Sequence, residues 1–255
     1  MIIRLFFCVL SCLALATSAP AADGIFRIGI NFGADEPAGA GSAVGPSVLA
    51  GAVPQINWNN LTLASGSASS LVGDWGGTAL PTTVSVTWTS PNTWSSTGRG
   101  EENNGFAPGG DRDLMTGYLD TTDTAAGKAT VTVSGLDPRF TSVGYDVYVY
   151  FLGGVGGRGG AYTIGQQTKM GTAMANPGFH VEDPGVDMVD AGTYVRFSGL
   201  SDASFTLISD ASVPGSNFRA PINGLQIVAV PEPCALGLLV LGSLVLGVGA
   251  WRRSG

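Results

Sequence analysis

The residues of this 255-residue chain that could do chemistry fall into two acidic stretches, one glycine-rich turn and one aromatic strand. Glu101, Glu102, Asp111 and Asp113 share a stretch with Gly98, Gly100, Gly105, Gly109 and Gly110; Asp183, Asp187 and Asp190 form the second group. Calcium takes about six to eight oxygen ligands from flexible loops, so either group could hold it, with Asp183, Asp187 and Asp190 the candidate calcium set. Neither has EF-hand spacing, and charged loops are often simply hydrated. Carboxylate pairs also cleave glycosidic bonds, which makes Glu101, Glu102, Asp111 and Asp113 the residues a polysaccharide-active enzyme would use.

His180 is the only histidine. A catalytic triad needs a positioned nucleophile, and no serine stands in a G-x-S-x-G context. A zinc site needs more nitrogen or sulfur ligands than one histidine supplies. Gly154, Gly156 and Gly159 satisfy G-x-G-x-x-G, but a strand pattern follows where dinucleotide binding requires a helix, so the run reads as a turn with Arg158 exposed at its tip. Tyr148 and Tyr150 alternate with Val147 and Val149. Sugar rings stack on aromatic faces, so these tyrosines, with Arg158, are candidate glycan-binding residues. The alternative is a strand covered on both faces, with the rings buried. No catalytic constellation emerges, and a non-catalytic protein is expected.

These side chains must be positioned by strands. Phe26, Ile28, Ile30 and Phe32 alternate with polar or small residues, as do Val84, Val86 and Trp88, and Ala129, Val131 and Val133. That period of two is the mark of a half-buried strand. Tyr145 to Leu152 reads as a central strand, Tyr162 to Ile164 as a short one, and Leu225, Ile227 and Ala229 as the last. Tyr194 to Phe197 and Ser204 to Ile208, separated by a Gly199 to Asp202 turn, suggest a hairpin. About eight short strands and no amphipathic helix argue for an all-β sandwich. The run Ile222, Asn223, Gly224, Leu225, Gln226, Ile227 before the end of the domain is similar to jelly-roll domains of the galactose-binding and malectin-like type. No internal repeat is present, which disfavours propellers and solenoids.

Leu5 to Ala16 is an apolar run of signal-peptide length after Arg4, and Ala19, Pro20, Ala21 supplies an A-x-A cleavage site, giving a signal peptide over residues 1–21. Cys12, after Val9, Leu10 and Ser11, loosely resembles a lipobox but leaves a very short apolar core. The exported domain, residues 22–229, contains no cysteine, which excludes disulfide scaffolds, thiolate metal sites and cysteine nucleophiles there. Residues 22–230 carry nine basic and eighteen acidic side chains. Nucleic acid, which requires clustered lysine and arginine, is therefore not an expected partner.

The tail, residues 230–255, opens with Val230, Pro231, Glu232, Pro233, runs without charge to Trp251 and closes with Arg252 and Arg253. At ~1.5 Å per residue, a helix over 234–251 is roughly 27 Å long and can cross a bilayer. The arginine pair places the C-terminus in the cytoplasm by the positive-inside rule. This order of features resembles the PEP-CTERM protein-sorting tail, with Cys234 following the motif where Ser or Ala is more familiar. The resemblance implies processing by an exosortase, a membrane protease-transpeptidase, on the way to the cell surface or an extracellular polysaccharide matrix. A polysaccharide-active enzyme on the same scaffold and a permanently membrane-anchored structural protein are the alternatives.

Overall fold

The computed structural model describes residues 24–37, 41–174, 178–179, 191–214, 216 and 218–231. The signal-cleavage residues Ala19 and Ala21, the aspartates Asp183, Asp187 and Asp190, His180, the tail residues Glu232, Pro233, Arg252 and Arg253 and the helix expected over 234–251 lie outside them. Among the described residues no helix is long and apolar enough to cross a membrane.

The described residues form an all-β sandwich. One sheet runs, edge to edge, β14 (Tyr194–Leu200), β10 (Tyr145–Tyr150), β16 (Gly224–Ala229), β1 (Phe26–Asn31), β4 (Val72–Trp75) and β5 (Thr78–Pro81), with β2 (Asn59–Asn60) parallel to the end of β1. The second runs β13 (Ala191–Gly192), β12 (Gln167–Ala173), β11 (Gly159–Ile164), β15 (Ser204–Asp210), β9 (Ala129–Ser134), β6 (Ser85–Thr89) and β3 (Ser65–Ala68). From β9 onward the chain passes repeatedly from one sheet to the other, so most pairings join residues distant in sequence.

The facing sides meet in one apolar core. Ile28, Ile30, Val147, Val149, Leu225 and Ile227 come from the first sheet and Val86, Val131, Val133 and Leu207 from the second. Aromatic pairs bridge the layers, among them Tyr145 with Phe205 at 6.1 Å and Phe151 stacked on Tyr162 at 5.2 Å between ring centres. The second sheet keeps a wet outer face: β9 and β15 alternate between buried and more exposed residues. The first does not. Every residue of β1, β10 and β16 is buried, because the segment between β1 and β2 folds back over the outer face. There Gln226 Nε2 donates to the Val53 carbonyl (2.5 Å) and to Gln55 Oε1 (2.8 Å), while its Oε1 accepts from the Tyr150 hydroxyl (2.7 Å). Trp58 packs on Tyr150 at 6.2 Å.

This cover removes the tyrosine platform. Tyr150 is 0% and Tyr148 9% exposed, so neither presents a free face to a sugar; Tyr148 is flanked by Tyr194 at 5.6 Å and by the Arg196 guanidinium at 5.7 Å. The strand covered on both faces is the arrangement found. The hairpin expected over 194–208 is also absent. β14 pairs with β10 in one sheet, whereas β15 pairs with β9 and β11 in the other. The short link between them crosses the sandwich edge, and the buried Tyr145 hydroxyl donates to the Asp202 carbonyl there (2.9 Å).

Two short helices complete the fold. α1 (Gly110–Leu114) leads into a small ribbon of β7 (Asn92–Ser95) and β8 (Gly117–Asp120). α2 (Pro138–Thr141) is capped by Asp137, whose side chain accepts from the Arg139 amide (2.9 Å). That is the bond an N-terminal Asp with Pro at the first helical position favours.

Candidate ligand-binding cleft

The β7–β8 ribbon places a set of unlike side chains on one face. In an antiparallel pair directly opposed residues point the same way. Asn92 opposes Asp120, and Trp94 opposes Tyr118. The intervening pair, Thr93 and Leu119, points oppositely. Leu119 is fully buried, and its backbone exchanges two hydrogen bonds with Ile222 (2.9 and 3.1 Å). That exchange ties the ribbon to the segment entering β16 and delivers Arg219 beside Asp120, with Arg219 Nε 3.2 Å from Asp120 Oδ2. The Thr121 hydroxyl accepts from the Ala220 amide at 2.7 Å.

Asn223 fixes the surrounding segments. Its amide nitrogen donates to the carbonyls of Met115 (3.0 Å) and Gly117 (2.9 Å), and its oxygen accepts from the Leu152 amide (2.6 Å). The loop after β7 returns Glu101 to the ribbon, where Glu101 Oε2 accepts from Trp94 Nε1 (3.1 Å) and Oε1 lies 3.5 Å from Arg158. Asn103 donates to the Gly153 carbonyl (2.9 Å), holding this loop to the turn that carries Arg158. Glycine at position 154 leaves room for the Glu101 carboxylate: a Cβ there would lie 1.2 Å from Glu101 Oε2 and would have to displace it.

The result is a cleft of about 210 Å³ lined by Asn92, Trp94, Glu101, Asp120, Arg158 and Arg219. It is smaller than the ~300–1,000 Å³ of pockets that enclose drug-sized ligands, and suits one ring of a chain better than a large cofactor. Two carboxylates face two guanidinium groups, so the lining is close to neutral in an otherwise acidic domain. Trp94 is braced from outside by Arg99, whose guanidinium carbon lies 4.0 Å from its ring centre and which also grips Glu36 through two oxygens (2.8 and 2.7 Å). Burial pushes the Asp120 carboxyl up to about 6, against the opposing pull of Arg219 and Arg158. Burial, followed by the Asp120 charge, raises the Tyr118 hydroxyl well above its ordinary range; that hydroxyl accepts from the Gly154 amide at 3.3 Å.

The segment that delivers Arg219 carries a further aromatic residue. Phe218 precedes Arg219, is 61% exposed and has φ of 62°, in the left-handed region that bulky side chains rarely adopt. Its carbonyl accepts from Arg219 Nη1 at 3.0 Å.

Of the residues singled out by sequence, Arg158 and Glu101 line this cleft. Glu102 turns outward and accepts from the Thr97 hydroxyl and the Gly98 amide (3.2 Å), which lower its carboxyl's pKa. Asp111 accepts from the Gly51 amide (3.0 Å), and burial raises both its pKa and that of Asp113. Neither aspartate lines the cleft. Among the described residues no three carboxylate, histidine or cysteine side chains converge as a metal set. Val230 and Pro231 lie at the opposite end of β16. Asn92, Trp94, Asp120 and Arg219 escape sequence reasoning because their convergence depends on ribbon pairing and on a contact between distant segments. The one local signal was the alternation of Asn92 and Trp94 beside a turn.

No family model, curated protein or solved structure gives a significant match to this chain, and the functional reading rests on the chemistry of the cleft and the order of targeting features in the sequence.

Proposed function

We propose that this chain is an exported cell-surface or extracellular-matrix protein, without catalytic activity, that binds glycan through the cleft around Asp120 on a jelly-roll-like domain. The signal peptide, cut after Ala21, and the tail beginning Val230, Pro231, Glu232, Pro233 supply the address. An exosortase-type enzyme processes the tail, whose helix over 234–251 holds the protein in the membrane with Arg252 and Arg253 in the cytoplasm.

The observation that carries the binding reading is the composition of the cleft. Sugar hydroxyls both donate and accept. Asp120 and Glu101 accept from them, Arg158, Arg219 and Asn92 donate to them, and Trp94 offers an apolar wall for C–H faces. The balance of charges favours a neutral sugar over a polyanion. On a glycan array the full chain is expected to retain neutral oligosaccharides, and Asp120→Asn and Trp94→Ala to lose them with the fold intact by circular dichroism. Wild-type protein that retains no glycan would overturn the reading.

One observation favours a second reading, a polysaccharide-active enzyme. Asp120 holds its proton to about pH 6 beside Glu101, and two carboxylates in unlike environments are how glycosidases divide acid from base. Release of reducing ends from matrix polysaccharide, abolished by Asp120→Asn, would establish it in place of simple binding. The mass of the mature C-terminus separates a processed tail from a permanent anchor.

A further inference from the structure

The end of the sandwich opposite the cleft is apolar. Ile25, Phe26, Trp75, Val143, Val230 and Pro231 line a groove of about 430 Å³. Trp75 is 42% exposed, and Val72 and Val230 are 37% exposed. The one charged lining residue among the described residues, Arg139, is folded against this surface, its guanidinium carbon 4.0 Å from the Phe26 ring centre and its Nη2 on Asp137 at 2.5 Å. An exposed tryptophan next to an arginine on an apolar surface is the pairing found at membrane interfaces, where one end of the side chain is wet and the other dry.

The sequence beyond Pro231 says what covers this groove. Only Glu232 and Pro233 separate it from the uncharged run that begins at Cys234. At ~3.3–3.6 Å per extended residue, the start of that run is within roughly 10 Å of the groove, comparable to the depth of one headgroup layer.

We propose that this end of the domain rests on the lipid headgroup layer, with Trp75 and the groove walls at the interface and the Asp120 cleft facing away from the membrane. β16 spans the two ends: Asn223, before its first residue, fixes the cleft segments, and Val230, after its last, lines the groove. Six residues at ~3.3 Å each hold the cleft about 20 Å above the lipid surface. The orientation rests on the tail being membrane-inserted, as under the proposed function, and is independent of what the cleft binds.

The test is tryptophan quenching in full-length protein reconstituted into phosphatidylcholine vesicles, some carrying bromine near the headgroup end of the acyl chains. The difference in emission between wild type and Trp75→Phe reports Trp75. It is expected to fall roughly twofold in the brominated vesicles, as an interfacial tryptophan should, whereas the difference between wild type and Trp94→Phe should not change. A chain that floats with the vesicles but whose Trp75 emission ignores bromine overturns the orientation and leaves the tail reading standing. A chain that does not float overturns both. Protection of Trp75 that follows the protein-to-lipid ratio rather than bromine would assign the groove to a second copy and also overturn the orientation.

Discussion

The two ends of β16 are built from opposite materials. At its start, Arg219, Asp120, Glu101 and Arg158 surround a small polar cleft held by ribbon pairing, by Asn223 and by loops that must meet from far apart in the chain. At its end, Phe26, Trp75, Val230 and Pro231 make an apolar groove whose walls are regular strands and the chain's own exit. Polar groups brought together against burial cost stability and are kept where they act, whereas an apolar exit gains from being covered. The same strand thus joins an end that gives up stability to one that gains it by contact.

The cleft end should show this in the titration of Asp120. Its folded-state carboxyl is raised to about 6 from an ordinary 3.8, chiefly by burial. The folded protein therefore binds the proton more tightly than the unfolded chain. The associated stability is fully present below about pH 4 and is lost as pH rises through 6. At ~1.4 kcal/mol per unit the loss approaches about 3 kcal/mol. Urea unfolding of wild type and Asp120→Asn at pH 4, 5.5 and 7 isolates it, since other groups cancel in the difference. The wild type should lose stability relative to the variant across this range. A difference flat with pH would mean that Asp120 is not buried as the cleft requires.

The tail end should answer to packing instead. A Cβ at Gly73 would lie 2.3 Å from the Phe26 ring, which is itself wedged between Trp75 at 6.3 Å and Phe140 at 5.4 Å. Gly73→Ala is expected to cost about 1–3 kcal/mol by overpacking, lowering the melting temperature by several degrees with no change in glycan retention. The counterpart at the cleft, Gly154→Ala, must displace the Glu101 carboxylate, and should weaken glycan binding about tenfold with a smaller stability loss. Equal effects of the two substitutions on melting and binding would erase the distinction between the ends.

What could be read in the sequence follows the same division. Strands whose alternation reports one wet and one dry face, such as Ala129–Ser134, are legible because periodicity is a local property. β10 misleads for the converse reason. Tyr148 and Tyr150 look like an outward face, but the Ala50–Trp58 region covers Tyr150 while Tyr194 and Arg196 flank Tyr148, and nothing near residues 145–150 announces it. The apparent hairpin at 194–208 has the right turn and patterning; what separates its arms is that each finds a better partner in a different sheet. In the cleft, Arg158 was visible as a lone cation on a glycine turn and Glu101 as part of an acidic run. Asp120 and Arg219 were not, since each is an isolated charge until β7, β8 and the approach to β16 are brought together.

Phe218 gives the finest separation of the two kinds of residue. A phenylalanine at φ of 62° stores strain of roughly 1–2 kcal/mol, and at 61% exposure it recovers little of that by burial. Trp75, the exposed aromatic of the other end, lies in a regular strand with no such strain. Glycine at 218 relieves the backbone, less its own entropy cost of roughly 0.5–1 kcal/mol, so Phe218→Gly should leave stability unchanged or raise it by up to about 1 kcal/mol. If the ring is held outward to meet ligand at the mouth of the cleft, the same substitution should weaken retention of neutral oligosaccharides severalfold, while Phe218→Tyr, which keeps an aromatic face, should retain them. Trp75→Phe should leave that retention unchanged. A Phe218→Gly protein that is both more stable and binds as wild type would show that the strain serves no ligand, and would confine the cleft to Asn92, Trp94, Glu101, Asp120, Arg158 and Arg219.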